Sequence, residues 1–207
     1  MNTTTAYKIN LKQKILEAAF KLFCRKGIRA VKMDDIAASL SISKRTVYEI
    51  FTDKESLVLC GVKYFNDKMD REMDAYAEVP EHNPIDSIMF FYHRQLDFNR
   101  HVVPQFYEDV IKYKKVTDFI QNLKVRRVDD GTAFFEKGVK EGYFRQEIDY
   151  RMALQVAQSA FDNFHDSKKI KCYKTEDIFR SFIFVFLRGL CTEKGLQSLD
   201  HQLGLLK

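Results

Sequence analysis

Three prolines and eight glycines are all that interrupt this 207-residue chain, so long helices with few breaks are expected. No alternation of apolar and polar residues marks a strand, and there is no internal repeat or low-complexity tract. No apolar run reaches the ~18 to 20 residues that a membrane span requires. The opening MNTTTAYKIN has neither the apolar centre nor the cleavage site of a secretory signal, and a cytoplasmic protein is expected. The four cysteines, at 24, 60, 172 and 191, include no pair at zinc-ligand spacing and read as reduced core thiols. Cys24, followed by Arg25 and Lys26, is the one with cations beside it, as a reactive thiol would need. Nucleophile elbow, glycine-rich phosphate loop and HExxH are all missing. The paired acids Asp129-Asp130 adjoin Arg126 and Arg127, as on a solvated face, and His93, His101 and His165 are scattered. Neither an enzyme, a metal site nor a cofactor is expected.

What the chain does have is apolar material, 45% hydrophobic with 14% aromatic, and a lopsided charge. Residues 1–56 hold 11 Lys and Arg against 6 Asp and Glu, while the remainder holds 23 of each, so the whole net charge of +5 lies N-terminally. An anionic partner for that segment follows. Nucleic acid is favoured over membrane because no helix there shows the apolar outer face a bilayer surface needs.

Ile15, Ala18, Ala19, Leu22 and Phe23 recur at helical spacing and predict a first helix over about 10–26, with Asn10 and Gln13 capping its start and Gly27 ending it. A short helix over about 34–40 follows, inner face Ile36, Ala37 and Leu40, then the turn Ser41-Ile42-Ser43. In SKRTVYEIF, Ser43 caps a third helix that turns Val47, Ile50 and Phe51 inward. Thr52 and Glu55 suggest a capping box that starts a fourth helix, running to about Ala77. Further helices are expected over about 85–99, 104–114, 116–141, 150–166 and 176–194, with Gly142 as a C-cap and Asp149 as an N-cap.

Two short helices joined by a tight turn, the second with outward cations and hydroxyls, describe a helix-turn-helix whose recognition helix enters the major groove. Lys44 and Arg45 can reach guanine O6 and N7 or phosphate, and Thr46 and Tyr48 can bond phosphate or pack on a thymine methyl. Lys54, beside free amides at the start of the fourth helix, suits phosphate. An ordinary solvated face would carry similar residues. Glu49 counts against DNA unless it pairs with Arg45 or accepts from a cytosine amine.

ILEAAFKLFCRKG, DDIAASLSIS, KRTVYEIF and TDKESL, spanning Ile15 to Leu57, resemble the DNA-binding domain of TetR-family transcriptional repressors. FEKGVKEGYFRQEID, 135–149, is similar to a linker in that family's ligand-binding part. The resemblance implies an all-α homodimer of about nine helices that binds a palindromic operator until a small-molecule effector repositions its two heads. It divides the chain into a three-helix DNA-binding domain, 1–56, and a helical effector-binding and dimerisation domain, 57–207. It also assigns DNA contacts to Lys32, Ser43, Lys44, Arg45, Thr46, Tyr48 and Lys54. Two departures stand out: Lys32 occupies a position where the family has a capping Thr, and Ser41 a turn position where it has Gly.

Aromatic side chains crowd the remainder, and Phe90, Phe106, Tyr107, Phe134 and Phe161 are candidates to line a pocket for a hydrophobic or aromatic effector; filling the core is their commoner use. IFRSFIFVFLRGLC is apolar around nearly its whole circumference and so needs burial on two sides, one of them against a second copy of the chain. Phe161, Phe182, Phe186 and Leu190 are the expected dimer contacts.

Overall fold

The computed structural model describes residues 3–166, 174–178, 180–181 and 184–204, apart from the side chains of residues 3–5, 161, 163–166 and 175. Among these residues the chain is helical, with no strand. Its elements are α1 (Thr3–Lys26), α2 (Met33–Ser39), α3 (Lys44–Ile50), α4 (Lys54–Ala77), α5 (Pro84–Arg100), α6 (Pro104–Val110), α7 (Lys114–Lys140), α8 (Tyr150–Asp166), α9 (Thr175–Ile178), α10 (Phe184–Leu190) and α11 (Glu193–Gly204). No described helix is long and apolar enough to cross a membrane.

Among the described residues eleven helical segments stand where about nine were expected. One helix over 176–194 was predicted; the division between α9 and α10 falls partly on residues 179, 182 and 183, outside the described set, and α11 follows a break at 190–192. The Leu190 carbonyl accepts from Arg145 N–H at 3.0 Å and Thr192 N–H donates to the Tyr143 carbonyl at 3.0 Å. These bonds pull residues 190–192 into a bridge pairing Phe144 with Cys191. The Thr192 hydroxyl then accepts from Gly195 N–H at 3.2 Å and caps α11.

Two compact units partition the chain, one of Met1–Glu72 with Arg100–Asn122, the other of Met73–Asn99 with Leu123–Lys207. In the first, α1 buries Ile15, Leu16, Ala19, Phe20, Phe23 and Cys24, a wider face than its apolar spacing suggested. Phe20 stacks on Phe65 at 4.0 Å and meets Phe106 edge-on at 5.6 Å. Asn10 is not a cap, because α1 begins at Thr3, with no helix-breaking residue before Gly27; Gln13 bonds Glu17 and Tyr64 instead.

The second unit is built on Ile85, Met89, Tyr92, Leu96, Phe135, Phe144, Tyr150, Phe184, Leu187, Leu190, Cys191 and Leu199. Asn83 caps α5 through the N–H groups of Ile85 and Asp86, and Asp86 returns a bond to Asn83 N–H. Gly142, at φ +81, and Asp149, accepting from Met152 N–H at 2.9 Å, end α7 and start α8 as their residue types predict. Gly138 leaves room for the Phe144 ring, which a Cβ would meet at 2.4 Å.

Candidate nucleic-acid interface

Three caps and one left-handed residue set the angle between α2 and α3. Lys32 has no side-chain acceptor to offer, and the start of α2 is secured from the other side by Asp35, whose carboxylate accepts from Lys32 N–H at 2.7 Å. At the other end of α2, Ile42 N–H donates to the Ala37 carbonyl and Ser41 N–H to that of Ala38. These paired bonds place Ser41 at φ 54, where glycine is the usual residue. Ser43 caps α3 by accepting from Thr46 N–H at 3.1 Å. Asp53, rather than the expected Thr52 and Glu55 pair, starts α4, its carboxylate accepting from Ser56 N–H at 2.6 Å; a carboxylate is the stronger acceptor. Glu55 turns instead to Lys115 N–H, 3.2 Å away.

Val47 and Phe51 are buried, leaving α3 one free side. Lys44, Arg45, Tyr48 and Glu49 lie on it, with Thr46 half-buried at its edge. The charged groups there already have partners. Lys44 pairs with Asp34 of α2 at 2.9 Å, and its pKa is raised chiefly by that hydrogen bond. Arg45 pairs with Glu49 at 2.9 Å, one of the two explanations available for the anion on this face. The Ser43 and Thr46 hydroxyls bond each other at 2.8 Å, and Lys32 is exposed at the start of α2.

Lys54 is placed differently from a free phosphate ligand. Its ammonium donates to the Val31 carbonyl at 2.5 Å and lies 3.5 Å from that of Arg29. Burial pushes its pKa down, against the pull of Asp109 and Asp35. From α6, Asp109 accepts from Arg29 N–H at 2.7 Å and from Lys112 Nζ at 3.2 Å. Burial opposes its charge, yet the Arg29 amide and the Lys112 ammonium hold its pKa below the usual carboxylate value. Gly27, at φ +82, completes the junction: a Cβ there would lie 2.9 Å from that of Gln105. The loop from α1 to α2 is thus gripped by α4 on one side and α6 on the other. Asp109 lies 80 residues from Arg29, and no local pattern announces it.

The effector candidates fall in different places. Phe106 and Tyr107 belong to the first unit, where they meet edge to face at 5.5 Å. Phe90 and Phe134 belong to the second. Phe90 stacks on Tyr76 at 4.1 Å, and Tyr76 on His82 at 3.8 Å; Phe134 packs edge-on against Phe135 at 5.5 Å. The Phe161 side chain and Phe182 lie outside the described residues. Of the expected dimer contacts, Leu190 is buried in its own unit's core and Phe186 packs against that core. Among the described residues, the exposed large apolar side chains on α8 and α10 are Met152 (59%), Val156 (59%) and Val185 (74%). Burial drives the Cys24 thiol up to about 12, the reverse of what an activated thiolate needs.

Residues 15–59 match the family model for bacterial regulatory proteins of the tetR family. The chain is 26% identical over 157 residues to the HTH-type transcriptional repressor KstR2 of Rhodococcus jostii (strain RHA1), covering 73% of this chain and 76% of that one. It is 26% identical over 193 residues to the uncharacterized HTH-type transcriptional regulator YvkB of Bacillus subtilis (strain 168), covering 87% and 97%. Among solved structures, a transcriptional regulator from Saccharomonospora viridis in complex with choline shares the fold, with a TM-score of 0.70 at 18% identity over 89% of this chain and 99% of that one.

Proposed function

We propose that this chain, a TetR-family transcriptional regulator, is a homodimeric repressor that binds a palindromic operator and is released by a small hydrophobic or aromatic effector. The observation that carries this reading is the face of α3: Val47 and Phe51 anchor it, Ser43 and Asp53 cap the helices on either side of the 51–53 turn, and Lys44, Arg45, Thr46 and Tyr48 are left as one array. Lys32 and Ser43 supply phosphate contacts beside it. Each cation on the array sits in an exposed ion pair, which contributes little and is weakened by salt. DNA phosphates can therefore displace Asp34 and Glu49 at little cost. Lys54 contributes by holding the α1–α2 loop and has ammonium protons left for one phosphate. Residues 1–56 carry the DNA contacts, and 57–207 carry the effector site and the surfaces that join two copies.

The test is selection of bound duplexes from a random library, followed by binding of the selected sequence across a salt series. A two-fold symmetric sequence is expected, with affinity falling steeply as salt rises. Arg45→Ala should relax preference at one base pair of each half-site, a loss of about 1 to 3 kcal/mol in discrimination. Selection of no sequence, or binding indifferent to salt, contradicts the reading.

A further inference from the structure

α1 runs on past the core it serves. Its buried row, Ile15, Ala19 and Phe23, runs at helical spacing, and the same face continues toward the N-terminus as Lys12 and Lys8, three and seven residues before Ile15. Lys12 shows where this row points: its ammonium lies 5.9 Å from the centre of the Phe51 ring, at the end of α3. Residues 6–10, more than one turn of helix, are all exposed, Tyr7 by 66% and Ile9 by 53%. A row that is buried where the core is present carries ammonium groups where the core stops, and one of them lies beside the end of α3. That is a poor arrangement for packing and a good one for meeting an anion beside α3.

Among the described residues no acid neutralises these cations. Residues 1–16 hold Lys8, Lys12 and Lys14 and no acid, and among the described residues none of the three is in an ion pair. Glu17, the first acid, is committed to Tyr64 at 2.8 Å and Gln13 at 3.1 Å. Its pKa is lowered, first by the Tyr64 hydrogen bond.

We infer that the N-terminal overhang of α1 is a second DNA-contacting element, in which Lys8 and Lys12 bind backbone phosphates of the duplex flanking the bases read by α3. Lysine suits this use: an ammonium on a flexible stem binds phosphate as a point charge and reads no bases. The overhang therefore adds affinity and register without adding sequence preference. The inference rests on the DNA-binding function proposed for α3, and the experiment separates the two.

The full-length protein is titrated by fluorescence anisotropy with a 40-base-pair duplex of arbitrary sequence at several salt concentrations between 50 and 200 mM. Each phosphate contact contributes about 0.9 to the slope of log K against log salt. Lys8→Ala/Lys12→Ala should therefore make the slope shallower by about 1.8, which removes about tenfold from the affinity lost across that salt range. Lys8→Arg/Lys12→Arg should restore the slope, and Lys14→Ala/Lys21→Ala, off this row, should leave it within about 0.5 of the wild type. Circular dichroism of each variant establishes that α1 is intact. An unchanged slope in an intact Lys8→Ala/Lys12→Ala protein overturns the inference while leaving α3 as the reading helix. Loss of binding to phosphatidylglycerol vesicles in that variant, with its DNA slope unchanged, would reassign the overhang to a lipid surface. A wild-type protein that shows no salt-dependent DNA binding removes the function proposed for α3 together with the overhang's part in it.

Discussion

Ser41 and Glu49 are single positions where side-chain chemistry conflicts with local geometry. Ser41 holds φ 54 to close the turn between α2 and α3, a conformation that costs a residue with a Cβ about 1 to 2 kcal/mol. Part of that is returned by the lower backbone entropy of serine in the unfolded chain. Ser41→Gly should accordingly raise stability in urea unfolding by about 0.5 to 1 kcal/mol and leave DNA affinity unchanged; a destabilised variant would mean that the Ser41 side chain makes a contact worth more than the strain. Glu49 faces outward from α3 and occupies Arg45 at 2.9 Å. In Glu49→Ala the guanidinium no longer has to leave a partner, and an anion is removed from the face proposed to meet phosphate. Binding to arbitrary duplex DNA at low salt should tighten roughly twofold to fivefold, the equivalent of at most about 1 kcal/mol, and the gain should fade at high salt. Weaker binding with altered base preference would show that the carboxylate reads a base, most simply a cytosine amine.

At the scale of elements, α6 is short, but it and the residue before it hold the end of α1 and the α1–α2 loop by their backbone. Val103 N–H donates to the Cys24 carbonyl at 2.8 Å, and Asp109 accepts from Arg29 N–H. A hydrogen bond to a buried carboxylate contributes about 1.5 to 3 kcal/mol. Asp109→Ala should cost about 2 kcal/mol in urea unfolding at neutral pH, and Asp109→Asn, which keeps an acceptor for the amide, should recover a good part of it. The folded-state pKa of Asp109 is depressed, so the unfolded chain takes up the proton first as pH falls. The charge-dependent part of its stabilisation is complete above the unfolded value, about 4, and disappears as pH falls through the folded one. Unfolding followed from pH 6 to 2.5 should show a shallower acid loss in Asp109→Asn than in the wild type. Equal slopes would place the acid sensitivity in other carboxylates. None of this was legible along the chain. The positions of α2 and α3, the cap at Ser43 and the stops at Gly27 and Gly142 could be read because each depends on residues within a turn of one another. The break at Cys191 depends on Tyr143 and Arg145, and the clamp on Arg29 depends on Asp109. The start of α1 was missed for the opposite reason: Asn10 is a good cap, but nothing before it breaks a helix, so the helix ran through.

Across the whole molecule, the proposed reading of a palindrome requires two heads, and the surface proposed to pair them has to keep apolar area free of the fold. The sequence places that surface on the most apolar run, IFRSFIFVFLRGLC, of which Leu190 and Phe184 also pack in the second unit's own core and Phe182 lies outside the described residues. Spacing alone cannot tell an apolar residue that packs inward from one that waits for a partner. Met152 and Val156 are further candidates: they sit four residues apart on α8, each 59% exposed, while Arg151 and Asp162 of the same helix face α7 in ion pairs with Asp129 and Lys124. Val185 presents a like surface on α10. Met152→Glu/Val156→Glu places like charges on both sides of a two-fold interface, where residues and their symmetry copies meet. Sedimentation should show a soluble, helical monomer, whereas charge at Phe186, which packs on the core, should destabilise the fold itself. The monomer should protect one half-site in footprinting, and the wild type should protect two, spaced by one helical turn of ~34 to 36 Å or a multiple of it. A Met152→Glu/Val156→Glu protein that remains dimeric and still spans both half-sites would move the interface away from this face of α8.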